Sequence, residues 1–330
     1  MKILLIQTAF IGDVILATPL VEKLHRFYPN AQVDVMLRKG NEGLLAGNPH
    51  VGKLWIWNKR EKKYRHLFAL LRKVRRERYG VVVNLQRFAA TGLFSVLAGA
   101  KSVVGFDKNP LSRFYGKSVA HEVGGGLHEV QRNLRLIAHL TDEAFEMPKL
   151  YPQPADFESV ERLKGKPYVT ISPTSVWFTK QFPLEKWAEL IALTGDGKAI
   201  YLLGGGGDAS PCEQLARQSG GRAVSLAGQL SFLQSAALMR DAAMNYVNDS
   251  APLHLASAMN APTTAVFCST VPAFGFAPLA QVARVVEATP PPACRPCGLH
   301  GYKACPKGHF RCAYSIQPEQ LLELGMTLLQ

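Results

Sequence analysis

Short, nearly continuous apolar runs alternate with longer segments of helical period, and the alternation occurs twice. In the first half, Met1 to Gln7, Gln32 to Leu37, Val81 to Leu85 and Ser102 to Gly105 read as strands. Val14 to Leu24, His66 to Arg78 and Gln131 to Leu140 carry the helical spacing. Pro148, Pro152 and Pro154 then punctuate the chain. A second series follows, with strands at Tyr168 to Ser172, Ala199 to Gly204, Arg222 to Leu226, Met244 to Val247 and Thr263 to Phe267. Strands that alternate with helices predict an α/β protein with parallel sheets covered by helices. The division is placed at residue 155, giving units 1–155 and 156–316, and the leucine spacing of Pro318 to Leu329 makes 317–330 a final helix.

Candidate chemistry collects where strands hand over to helices. Asn248 to His254 follows an apolar run and opens an apolar segment. Asp249 or Ser250 suits the cap of that helix and Pro252 its first turn, so the unpaired N–H groups and the helix dipole make a site for an anion such as a diphosphate, with His254 near its mouth. Near the start of the chain, Gly12 and Asp13 occupy the same kind of junction, where Asp13 is either a helix cap or a catalytic carboxylate. Ser172, Thr174 and Ser175 end another strand and offer hydroxyl and N–H groups to a phosphate. Gly204 to Gly207 permit a tight turn before Asp208 and Glu213, but match neither the dinucleotide fingerprint nor the P-loop.

In this order, Gly12-Asp13, Ser172 to Ser175, Lys180 to Pro183, Asn248 to His254 and the late cysteines resemble glycosyltransferase family 9, the heptosyltransferases. The cysteine pattern is nearest to the second heptosyltransferase of the lipopolysaccharide pathway. The resemblance implies a GT-B fold, two Rossmann-like units facing across a cleft, with the C-terminal helix packing back on the first unit. It implies inverting, cofactor-independent transfer of heptose from ADP-heptose to the lipopolysaccharide inner core, with heptosyl-Kdo2-lipid A as acceptor. Asp13 would be the base, Lys180 the cation on the leaving diphosphate, and Gly12, Thr174, Ser175, Asp208, Asp249, Ser250, Ala251, Leu253 and His254 the donor site. Glu213 competes with Asp208 for the nucleoside. Ala251-Pro252 departs from the glycine usual in the family, so a GT-B enzyme using another nucleotide-sugar or polysaccharide acceptor is the alternative.

Charge sharpens the picture. Residues 1–155 hold 24 lysines and arginines against 12 acidic residues, whereas 156–330 hold 14 against 13. The densest stretch, Lys59 to Arg78, reads as a basic amphipathic helix that suits either its own domain surface or anionic headgroups. No apolar stretch reaches the roughly 20 residues of a membrane span. The expectation is therefore a cytoplasmic enzyme, peripheral at the inner membrane, that binds an acidic Kdo-lipid A acceptor and no nucleic acid. Cys212 and Cys268 read as isolated core residues, and Cys294, Cys297, Cys305 and Cys312 as ligands for a structural zinc or as reduced thiols in a loop. A nicotinamide enzyme would want glycines after the first strand where only Gly12 stands, and a nucleic-acid binder would leave Asp13, Lys180 and Asp249 without a role.

Overall fold

The computed structural model describes residues 1–195 and 197–322. Its contacts divide the chain into Met1–Tyr151 and Pro152–Gln330. The first unit is built on six strands: β1 (Lys2–Ile6), β2 (Gln32–Arg38), β3 (Leu54–Trp57), β4 (Val81–Asn84), β5 (Ser102–Phe106) and β6 (Lys117–Val119). They pair in parallel in the order β3-β2-β1-β4-β5-β6. The second repeats the plan with β7 (Tyr168–Ser172), β8 (Ala199–Leu202), β9 (Ala223–Ser225), β10 (Met244–Asn248), β11 (Thr263–Phe267) and β12 (Ala283–Glu287), ordered β12-β11-β10-β7-β8-β9.

The expected α/β class is present, and two of the three strands missing from the sequence reading share one cause. β3, β6 and β12 are sheet-edge strands. An edge strand pairs on one side only and keeps polar or half-exposed positions, as β6 and β12 do; β3 is apolar throughout, Leu54-Trp-Ile-Trp57, so its absence from the reading has no such cause. β6 is Lys117-Ser118-Val119 with no buried residue, whereas every residue of central β4 is buried.

The first expected helix is two: α1 (Ile11–Ile15) and α2 (Thr18–Phe27). Pro19 has no N–H to continue the ladder and sits in the first turn of α2, while the Thr18 hydroxyl donates to the Ile15 carbonyl (2.7 Å). The break leaves Asp13 on a short helix beside the carboxyl end of β1. Two further helices, α3 (Lys63–Arg76) and α4 (Ala89–Leu97), the second not anticipated, cover the sheet. Leu67, Leu70, Leu71 and Val74 of α3 and Phe94 of α4 pack with Leu4, Ile6, Met36, Trp57 and Val82. Each such leucine contributes about 1.5–3 kcal/mol on burial. The helix expected from Gln131 to Leu140 is α5 (Glu129–Arg135), which starts two residues earlier behind the His128 cap and ends five residues sooner.

In the second unit, α6 (Pro154–Glu161), α7 (Leu184–Leu193), α8 (Ala209–Gln218), α9 (Phe232–Arg240), α10 (Ala251–Ala258) and α11 (Arg311–Tyr314) accompany the sheet. Glu319 to Leu322 are helical, and Leu321 is buried in this unit's own core. The rest of the helix expected from Pro318 to Leu329, with its return to the first unit, lies outside the described residues.

Candidate active site

Parallel pairing decides which junctions become neighbours. In the second unit β7 and β10 are adjacent, with Val247 opposite Ser172, although about 75 residues separate them in sequence. This is the point where the strand order reverses, and the loops leaving the two strands share one edge. Asn248 ties them together: its Oδ1 accepts from the Phe182 N–H (2.8 Å) and its Nδ2 donates to the Ser172 and Thr174 carbonyls (3.4 and 3.5 Å).

Lys180 and Asp249 meet in this frame, Nζ to Oδ2 at 2.7 Å. The same oxygen accepts the Thr270 hydroxyl (2.5 Å), so the carboxylate, only 7% exposed, is held from two sides. Ser250 is the N-cap residue of α10 by backbone conformation, but its hydroxyl makes no cap bond, and Asp249 is committed to Lys180 and Thr270. The helix start, with Ala251 and Pro252 in its first turn, is therefore not closed by a capping side chain. Leu253 is fully buried and its N–H is given to the Ser250 carbonyl (3.1 Å). His254 is buried, its ring 6.4 Å from that of Phe276. Thr174 and Ser175 stand half-buried at the end of β7, and the Ser175 carbonyl accepts from Gln181 (2.6 Å).

Asp208 caps its own glycine turn: its Oδ2 accepts the Gly205 N–H at 2.8 Å. A side chain at Gly204 would meet the Asp208 Cβ at 2.7 Å, and Gly228, at φ +75°, passes over Gly206. The glycines thus serve backbone approach within the protein. Glu213 is exposed on α8.

Several residues of this site had no signal in the sequence. Thr179 is buried and exchanges hydrogen bonds with Tyr302, giving its N–H to the Tyr302 carbonyl (3.1 Å) and accepting the Tyr302 N–H at its hydroxyl (2.7 Å). Arg295 forks onto Glu287 (3.2 Å to each oxygen) and donates to the Phe267 and Thr270 carbonyls (3.1 and 2.5 Å). Gly301, at φ +77°, lies so close that a Cβ there would stand 2.9 Å from Thr179 Oγ1 and 3.0 Å from Lys180 Cγ. The cysteine-bearing loop is therefore a brace against the residues that carry Lys180 and Asp249. A basic residue between two cysteines was visible, but its target was not.

The cysteines themselves line one cavity of about 140 Å³ together with Thr179, Tyr302 and Phe310. Cys294 faces His309 at 3.8 Å, Cys297 donates to the Cys294 carbonyl, and Cys312 belongs to the core. Among the described residues no three histidine, cysteine, aspartate or glutamate side chains are grouped to hold a metal ion. The zinc expected from the spacing thus finds no assembled ligand set among the described residues. Cys212 and Cys268 are fully buried. Trp177 is half-buried, and Phe178 is 46% exposed with its ring 5.1 Å from that of Phe310.

The first unit presents a different chemistry at the end of β1. Asp13 is half-buried at the third position of α1 and accepts the Phe10 N–H at Oδ2 (3.0 Å). Burial, then the negative charge of Glu129, raises its pKa to about 6. Burial also acts to raise Glu129, yet His121 (3.5 Å) and Arg132 (2.7 Å) hold it below its usual value, so it remains charged beside Asp13. The loop before Asp13 is tied down by Lys59 to the Thr8 carbonyl (2.6 Å) and Asn41 to the Ala9 carbonyl (3.0 Å). Arg38 stacks on Phe10 at 4.8 Å and adds positive charge near Asp13. Burial, then Arg38 and Lys63, lower the Lys59 amine to about 8. A carboxylate of this pKa, with the Arg38 cation nearby, can take a proton near neutrality.

The profile of glycosyltransferase family 9 (heptosyltransferase) matches residues 67–298. The chain is 30% identical over 279 residues to lipopolysaccharide heptosyltransferase 3 of Escherichia coli, covering 79% of this chain and 82% of that one. It is 28% identical over 303 residues to lipopolysaccharide heptosyltransferase 1 of Pseudomonas aeruginosa, covering 83% and 80%. The solved structure of Escherichia coli ADP-heptose lps heptosyltransferase II superposes with a TM-score of 0.82 at 22% identity, over 100% of this chain and 98% of that one. The GT-B fold implied by the motifs is thereby present. With more than half its length inside the family profile, the chain belongs to glycosyltransferase family 9, the heptosyltransferases.

Proposed function

We propose that this enzyme transfers heptose from ADP-heptose to the inner core of lipopolysaccharide by inverting single displacement, with heptosyl-Kdo2-lipid A as acceptor. The observation that carries the reading is the Lys180–Asp249 pair at the strand-order reversal of the second unit, beside a helix start that no side chain caps. That arrangement supplies a cation and backbone N–H groups where a diphosphate's charge builds as the sugar–phosphate bond breaks. Thr174, Ser175 and Ser250 add hydroxyls at the same edge, and Asp249 holds Lys180 in place until the diphosphate arrives. His254 and Asp208 border the donor side.

The first unit supplies the base. Asp13 accepts the proton of the acceptor hydroxyl as its oxygen attacks the anomeric carbon. No metal or cofactor enters this step. Arg38, Lys59 and Arg60 are the cations to meet the acidic acceptor, and the surplus of positive charge in residues 1–155 agrees with it. Placement in the cytoplasm, at the inner face of the membrane, follows from an acceptor anchored there by its acyl chains. Among the described residues no helix is long and apolar enough to cross a membrane.

Relatives named heptosyltransferase 1 and 3 and a structure named II all align with this chain, so the acceptor needs direct assay. Purified protein would be given ADP-heptose with Kdo2-lipid A, its heptosylated product, or a longer core. Transfer to the second acceptor alone supports the reading, and transfer to either of the others reassigns the acceptor. Turnover only with UDP- or GDP-sugars would replace the donor and favour the alternative that the alanine at position 251 raises.

A further inference from the structure

The proposed acceptor is a lipid, and one face of the first unit sets an exposed apolar stripe beside a cationic helix. α3 and α4 follow β3 and β4 and run antiparallel to them, so both start at the carboxyl edge of the sheet, where Asp13 lies. The outward stripe of α4 is apolar: Ala89, Leu93 and Leu97, one turn apart, are exposed, the two leucines at 42% and 37%. Phe88 precedes them at 55% exposure. Beside this stripe, α3 exposes Tyr64 and Phe68 among Arg65, Arg72, Lys73, Arg75 and Arg76. The Arg75 guanidinium donates to the Leu97 carbonyl at 3.1 Å, which fixes the cationic row against the apolar one.

A ridge of leucine and phenylalanine with no charge of its own, flanked by a helix that carries only positive charge on its open face, fits one environment. It is the boundary of an anionic bilayer, where side chains enter among the acyl chains and cations reach lipid phosphate. We infer that α3 and α4 form a membrane-docking face, with Phe88, Leu93 and Leu97 inserting and Arg72, Lys73 and Arg76 contacting anionic headgroups. The inference rests on the lipid acceptor proposed above and adds to it the surface that docks. Both helices start at the sheet edge that holds Asp13, so the docking face and the base belong to one unit.

Sedimentation with vesicles tests it. The intact protein would be mixed with phosphatidylethanolamine vesicles carrying a quarter phosphatidylglycerol, and separately with phosphatidylcholine vesicles. A Leu93→Gln, Leu97→Gln variant and an Arg72→Gln, Lys73→Gln, Arg76→Gln variant would run alongside. Thermal melting and turnover on a deacylated acceptor would report whether each variant is folded and active. The expected result is binding of the wild type to anionic vesicles only, reduced about tenfold in each variant, with deacylated turnover unchanged. Equal vesicle binding by wild type and both variants overturns this face as the docking surface. A wild type that ignores anionic vesicles, or variants whose only change is loss of self-association, also overturns it. No turnover on any deacylated acceptor is a separate result and counts against the acceptor reading, whatever the vesicles show.

Discussion

Lys180 Nζ lies 2.7 Å from Asp249 Oδ2, joining a loop after β7 to the first residue beyond β10. The lysine is thereby held ready, and the aspartate, which reads as a helix cap in the sequence, is spent on the lysine and on Thr270.

Breaking that pair from either side should cost more than removing it whole. Lys180→Met leaves a buried carboxylate with only a hydroxyl partner, and Asp249→Asn leaves a half-buried cation unpaired. The double variant should recover about 1–3 kcal/mol relative to the sum of the singles in denaturant unfolding. ADP affinity, measured by calorimetry, should fall roughly ten- to hundredfold in Lys180→Met. Additive stabilities with unchanged ADP binding would count against this geometry.

Asp13 yields opposite predictions for activity and stability. Asp13→Asn should lower turnover by a factor of about 10² to 10⁴, the usual contribution of a general base. In the wild type kcat/KM should rise with pH through about 6 as the carboxyl loses its proton. The folded protein holds this proton more tightly than the unfolded chain. Its contribution to stability is therefore full at low pH and lost as pH rises through about 6. Asp13→Asn removes a burial cost at neutral pH, so the variant should be more stable there, by up to about 3 kcal/mol, and should lose that advantage in acid. A variant equally stable at both pH values would refute the raised pKa.

Gly301 and Gly308 form a matched pair. Both have positive φ, +77° and +70°, so alanine at either imposes about 1–2 kcal/mol of backbone strain. A Cβ at Gly301 would press on Thr179 and Lys180, whereas one at Gly308 meets nothing within 4 Å. Gly301→Ala should therefore weaken ADP binding and Gly308→Ala should not, at similar losses in melting temperature. Equal ADP binding in the two would remove the cysteine loop from the donor site.

The thiols should divide into two classes. Cys294, Cys297 and Cys305 are partly exposed and should react quickly with an aromatic disulfide in the native protein. Cys212, Cys268 and Cys312 are buried, and burial raises Cys212 to about 12 and Cys312 to about 11, so these should react only on unfolding. Protection of all four loop cysteines, released by a chelator together with zinc, would restore the metal reading that the described side chains do not support.

The sequence by itself determined the class of fold, because central strands buried on both faces must be apolar throughout and helices between them must be amphipathic. It marked Gly12-Asp13, Ser172 to Ser175, Lys180 and Asn248 to His254 as strand-to-helix junctions, since glycine, capping residues and proline carry local conformational information. It could not mark β6 and β12, whose edge positions release them from the apolar pattern, whereas the apolar run of β3 was legible in it. Only the tertiary structure decided that Asp249 belongs to Lys180, that Leu253 turns inward, that burial and then Glu129 raise the pKa of Asp13, and that Arg295 and Gly301 brace the segments carrying Lys180 and Thr270. These are contacts between distant segments, fixed by strand order and close packing, and neither quantity is encoded in the spacing of neighbouring residues.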